Sequence, residues 1–208
     1  MSVVTIKVCG MTRPEDAAAC VALGVNMLGF IFASKSPRNI TPEHAASIET
    51  PGVLRVGVFV EQTVDDVLAI IDEAKLDIAQ LHGGQDQAFC QAIGPERVMR
   101  VFWPMRYDST AAFEAELAAY ADSAHRFLCD AGSSGGGHGV SLDFSRLTNL
   151  QSPRPWLIAG GLGPNNVLDA LTTTAAGVDI NSGVEEAPGK KDHDKLRQTI
   201  ERIRSRYE

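Results

Sequence analysis

Apolar positions along this chain fall into short runs and stripes that alternate from one end to the other. Val3-Val4-Thr5-Ile6-Lys7-Val8 reads as a buried strand that ends at Cys9. Within it Val4, Ile6 and Val8 face one way, and Thr5, Lys7 and Cys9 the other. Residues 14–23 then read as a helix: Glu15 and Asp16 sit in its first turn, the interior is rich in Ala, and Gly24 stops it. Strand-like runs recur at 27–32, 54–60, 76–81, 97–102, 126–130, 155–160 and 177–181. Between and after them the spacing predicts helices opened by Thr41-Pro42-Glu43 and by Thr63-Val64-Asp65-Asp66. Further helices are expected over 85–93, 109–120, 164–172 and 192–206, with a short helix-like segment near 143–150.

Counted along the chain, these are eight strand–helix units. Strands joined through helices run parallel, and the crossovers cover the sheet faces. Eight such units predict a closed (β/α)8 TIM barrel, an α/β fold, as one domain over 1–208. Its usual size is ~250 residues with ~200 as the lower limit, so short loops are expected here. An open doubly wound sheet is the alternative. It is weakened because no Gly-x-Gly-x-x-Gly follows the first strand and a polar residue tends to close each run.

Charge and composition narrow the partners. The formal net charge is −7 and no Lys/Arg stripe forms, which disfavours nucleic acid and anionic membrane surfaces. No apolar stretch approaches the ~20 residues of a membrane span, and no signal-type segment opens the chain. The four cysteines (Cys9, Cys20, Cys90, Cys129) show no paired spacing, which fits a reducing, cytoplasmic setting. The five histidines include no i,i+4 pair and there is no Cys-x-x-Cys, so no metal is expected.

In a barrel the carboxyl ends of all strands face one mouth. Read in order they supply Cys9, Arg38 in the loop after the second strand, Gln80 and His82, Asp130, Gly160-Gly161 and Ser182-Gly183. The last two are Gly-bearing turns directly after strands, where backbone N–H groups can hold a phosphate. Cys9 and Asp130, at the ends of strands one and six, can flank one small substrate. A thiolate accepts a proton and a protonated carboxyl donates one. Free Cys titrates near ~8.5 and free Asp near ~3.9, so each needs its setting to reach its working form. Lys7, on the same strand face as Cys9, is a possible help to the thiolate. Cys129 should point to the opposite face and serve packing.

Lys7-Val8-Cys9-Gly10-Met11-Thr12, Gly29-Phe30-Ile31-Phe32 with Ser36-Pro37-Arg38, and Gln80-Leu81-His82-Gly83 form one ordered set with Ala159-Gly160-Gly161-Leu162 and Val178 to Glu185, followed by Pro188-Gly189-Lys190-Lys191-Asp192. This set resembles the phosphoribosylanthranilate isomerase family over nearly the whole chain. The resemblance implies an Amadori rearrangement, an aldose–ketose isomerisation, in tryptophan synthesis, with no metal and no organic cofactor. It implies Cys9 as general base and Asp130 as general acid, Arg38 on the anthranilate carboxylate, and His82 near the substrate. Gln80, in the same strand-four motif, is expected at the substrate as well. A monomer or a homodimer is expected. Two places depart from the family. Arg100-Val101-Phe102-Trp103 stands where members often carry a strand-five Lys, and the loop 132–139 matches a Gly-Gly-x-Gly stretch only in part. A mobile cover is the expected role of that loop, with a plain linker as the alternative.

Three other readings stand beside this one. Lys7 would form a Schiff base in an aldolase-like sugar-phosphate barrel. A non-catalytic barrel would only bind phosphorylated metabolites. A two-substrate isomerase serving histidine synthesis as well would carry a pair of Asp residues, against which Cys9 speaks.

Overall fold

The structure is a computed structural model that describes residues 4–131 and 144–207. Its strands are β1 (Thr5–Val8), β2 (Met27–Ile31), β3 (Leu54–Phe59), β4 (Ile78–Leu81), β5 (Val98–Phe102), β6 (Arg126–Asp130), β7 (Trp156–Ala159) and β8 (Gly177–Ile180). All pair in parallel with their sequence neighbours, and β8 returns to β1, so the eight-stranded sheet closes into a barrel. Closure is registered by Lys7 opposite Asp179.

Strand alternation divides the apolar residues into two layers. Met27, Val56, Ile78, Met99, Val101, Leu128, Leu157 and Ala159 fill the barrel interior. Val4, Ile6 and Val8 point outward into a larger core shared with the surrounding helices. These are α1 (Pro14–Ala22), α2 (Pro42–Ser47), α3 (Val64–Glu73), α4 (Gln87–Ile93), α5 (Thr110–Ala119), α6 (Val167–Ala170) and α7 (His193–Ser205). Their starts follow local chemistry. Thr41 caps α2, Thr63 and Asp66 form a reciprocal capping box on α3, Asp86 caps α4, and Asp192 receives two N–H groups at the start of α7. Gly24, at φ +64°, reverses the chain after α1.

Two segments differ from the sequence expectation. The helix expected over 164–172 is α-helical only at Val167–Ala170. Asn166 instead accepts from Gly163 N and donates to Gly161 O, and Thr172 and Thr173 bond back to the carbonyls of Asp169 and Ala170. The backbone closes as mixed turns, with Asn166 N bonded to Gly163 O before the helix and Thr172 N and Thr173 N to the carbonyls of Asp169 and Ala170 after it, and the side-chain bonds add to these turns. The chain after β8 forms a two-stranded antiparallel hairpin, β9 (Glu185–Ala187) and β10 (Lys190–Lys191), that the apolar pattern does not announce. Near 143–150 the described part is a single 3-10 turn, Ser145–Leu147. The loop 132–139 lies outside the described residues. Among the described residues no helix is long and apolar enough to cross a membrane, and no cluster of potential metal ligands occurs.

Candidate active site at the barrel mouth

One cavity opens at the carboxyl ends of the strands. Cys9, Arg38, Gln80, His82, Asp130, Gly160, Gly161 and Ser182 all line it. Gly183 does not. A Cβ on Gly183 would stand 2.2 Å from Leu162 O, and one on Gly163 would stand 2.5 Å from Gly183 O. The glycines therefore allow the turns after β7 and β8 to touch backbone to backbone. The N–H groups of Gly161, Ser182 and Gly183 make no backbone hydrogen bond to another described residue outside the regular ladders. They are available as donors beside the cavity. The short α6 starts only at Val167, so these turns, and not a helix end at Pro164, form that part of the mouth.

Cys9 follows β1 directly and donates its N–H to Ile180 O at 2.8 Å. Its side chain lies in the barrel against β2: a Cβ on Gly29 would meet Sγ at 2.6 Å, so only glycine leaves room for the thiol. Gly10 follows at φ +76°, where a Cβ would strike Asn181 Oδ1 and the Arg38 side chain. Lys7, one alternation deeper, is fully buried and donates to Asp179 Oδ1 at 2.9 Å. Burial pulls the Lys7 ammonium down, but Asp179 and Cys9 outweigh it and the net shift is upward. Burial pushes the Cys9 thiol up, with Asp179 adding to the rise, against the opposing pull of Lys7 and Lys191. The expected help from Lys7 is thus present but is outweighed, because desolvation of a thiolate costs more than these cations return.

Asp130 ends β6 and faces the same cavity, while its neighbour Cys129 points outward into the helix-side core. His82 Nε2 stands 3.8 Å from Asp130 Oδ2. Gln80 Nε2 lies 3.3 Å from His82 Nδ1. With the amide donating, Nδ1 is the acceptor and Nε2 carries the proton toward Asp130. Burial first, then Lys7, Arg100 and Arg106, lower His82 to about 4, so the imidazole is neutral at neutral pH. Trp103 packs edge-on against it with ring centroids 5.3 Å apart. Gln80 Oε1 is buried and has no hydrogen-bond partner among the described residues.

Arg38 is already paired. Its Nε lies 3.0 and 3.1 Å from the two Glu185 carboxylate oxygens, and Nη2 donates to Oε2 at 2.6 Å. Glu185 Oε1 also accepts from the buried Lys191 Nζ at 2.8 Å, and Lys191 Nζ reaches Asn181 Oδ1 at 2.9 Å. The sequence reading did not single out Glu185, Lys191, Asn181 or Asp179 for the site. All four stand within the Val178 to Glu185 and Pro188 to Asp192 stretches of the ordered set, which is the cue to them.

The chain has close relatives. A family profile described as N-(5'phosphoribosyl)anthranilate (PRA) isomerase matches residues 6–202. The N-(5'-phosphoribosyl)anthranilate isomerase of Desulfovibrio desulfuricans is 52% identical over 192 residues, 92% of this chain and 91% of that one. The protein of the same name from Maridesulfovibrio salexigens is 49% identical over 192 residues, 92% of this chain and 94% of the relative. Among solved structures, a phosphoribosyl anthranilate isomerase in complex with reduced 1-(o-carboxyphenylamino)-1-deoxyribulose 5-phosphate superposes with a TM-score of 0.82 at 32% identity, covering 98% of this chain and 100% of that one.

Proposed function

Because the chain belongs to the N-(5'-phosphoribosyl)anthranilate isomerase family, we propose that it converts N-(5'-phosphoribosyl)anthranilate to 1-(o-carboxyphenylamino)-1-deoxyribulose 5-phosphate in tryptophan biosynthesis, with Cys9 as general base and Asp130 as general acid. The observation that carries the assignment of roles is that Cys9 and Asp130, 121 positions apart in the chain, line one cavity together with Arg38 and the two glycine turns.

Asp130 delivers its proton to the ribose ring oxygen. The C1′–O bond breaks and the anthranilate nitrogen supplies the electron pair, giving an open-chain protonated Schiff base. Cys9, as thiolate, removes the proton from C2′, and the electron pair moves toward the cationic nitrogen to give an enolamine. Tautomerisation of the enolamine yields the C2′ ketone. The open N–H groups of Gly161, Ser182 and Gly183 suit the phosphate, Gln80 Oε1 suits a substrate hydroxyl, and Arg38 suits the ring carboxylate. Neutral His82 directs an N–H toward Asp130 without placing a positive charge there. Placement by these contacts must add to the ~10²–10⁴-fold that proton transfer itself supplies.

Lys7 is a poor Schiff-base residue because it is buried beneath Cys9, bonded to Asp179 and held charged. The test is loss of phosphoribosylanthranilate fluorescence. Cys9→Ala and Asp130→Asn should each lower kcat by about 10²–10⁴ with little change in KM. Normal turnover in Asp130→Asn would remove it as the acid, and absence of turnover in the unaltered protein would remove the reaction.

A further inference from the structure

Arg38 poses a problem for any role on a substrate carboxylate, since a buried carboxylate already holds it. A guanidinium has two hydrogen-bonding edges. Glu185 takes the side edge, formed by Nε–H and the adjacent Nη2–H. The end edge, formed by Nη1 and the outer Nη2–H, has no hydrogen-bond partner among the described residues, and Arg38 lines the cavity. Geometry therefore leaves one fork for a second carboxylate. Charge is the remaining difficulty, because an Arg–Glu pair alone is neutral and a second buried carboxylate would find no net attraction.

Lys191 resolves it. Its ammonium is fully buried and spends its donors on Glu185 Oε1 at 2.8 Å, Asn181 Oδ1 at 2.9 Å and Asn181 O at 3.4 Å. It does not line the cavity. Glu185 is thereby shared between two cations: burial lowers the Lys191 ammonium, the Glu185 carboxylate bonded to it opposes that fall, and with Lys191 charged the trio Arg38, Glu185 and Lys191 carries a net charge of +1. Glu185 also accepts from Gly189 N at 3.2 Å, which fixes it to the hairpin turn. Gly10 completes the arrangement, since any Cβ there would strike both Arg38 and Asn181.

We propose that Lys191 and Glu185 are positioning residues for the ring carboxylate of the substrate: Glu185 aims Arg38, and Lys191 cancels the Glu185 charge so that Arg38 keeps a full positive charge for the incoming carboxylate. This rests on the reading that Arg38 receives that carboxylate. It extends the reading to two residues that do not touch the substrate.

The experiment is a cycle between the protein and the ligand. Two stable probes are used: the reduced 1-(o-carboxyphenylamino)-1-deoxyribulose 5-phosphate, and the same compound with phenyl in place of o-carboxyphenyl. The unaltered protein should bind the carboxylated probe at least tenfold more tightly. In Lys191→Met that preference should fall to about threefold or less, while the affinity for the phenyl probe stays within about twofold. KM for the natural substrate should rise by the same factor as the lost preference. If the unaltered protein shows no preference, Arg38 does not read the carboxylate and the underlying assignment fails. If it shows the preference and Lys191→Met retains it, only the role of Lys191 fails. Equal weakening of both probes in Lys191→Met and in Lys191→Gln would make Lys191 a folding residue and overturn the proposal.

Discussion

Cys9 meets opposed influences, and their balance fixes how the rate should depend on pH. Burial and Asp179 disfavour the thiolate; Lys7 and Lys191 favour it; the net result is a thiol pKa above its ordinary value. As the base, Cys9 works only when deprotonated. The fraction in working form therefore rises about tenfold per pH unit until the pKa is passed, and an unperturbed thiol already sits near ~8.5. Asp130 must keep its proton while Cys9 loses its own, so kcat/KM of the unaltered enzyme should follow a bell set by both groups. In Asp130→Asn the thiol limb stands alone, and the residual kcat/KM should climb through the neutral range and still be climbing at pH 8.5. Alkylation of Cys9 by iodoacetamide should follow the same limb. A plateau by pH 7 in Asp130→Asn would mean that Cys9 is not the titrating base. His82 cannot produce this limb, because it has lost its proton above about 4.

At the scale of elements, the turns after β7 and β8 act as one unit. Gly163 and Gly183 let the two backbones touch, and the open N–H groups depend on that contact. Gly183→Ala would put a Cβ 2.2 Å from Leu162 O, where neither partner is a flexible side-chain end. The turns must separate, and the donors spread with them. KM should rise at least tenfold, competitive inhibition by inorganic phosphate should weaken in parallel, and kcat should change less. If phosphate inhibition were unchanged, these turns would not be the phosphate site. The eight strands of this arrangement were legible because buried parallel strands are short apolar runs. Thr41 and Thr63 marked helix starts through capping chemistry that acts over three residues. Long-range pairings carry no such signature. Arg38 and Glu185 are 147 positions apart, and nothing in either neighbourhood specifies the other. The β9–β10 hairpin is too short and too polar for period-two alternation to reveal it, and α6 gives way at both ends to backbone turns that Asn and Thr side chains reinforce.

The whole molecule closes at the seam between β1 and β8, and there the fold and the site share one interaction. Lys7 and Asp179 are register partners across that seam and form a buried ion pair. Removing one partner of a buried pair strands the other charge, at a cost of about 3–5 kcal/mol. Lys7→Met should lose stability of that order in urea unfolding. Lys7→Met combined with Asp179→Leu should recover a substantial part, because neither charge is then left alone. The same pair acts on Cys9 with opposite signs, Lys7 lowering the thiol and Asp179 raising it. Lys7→Met should therefore move the pH limb of kcat/KM further upward, and the double variant should move it part of the way back. A structural role alone would lower stability without displacing the limb. If the limb stays fixed while stability falls and recovers as described, Lys7 closes the barrel but does not tune the base. If both move together, the residue that locks the last strand to the first also sets the proton affinity of the thiol just above it.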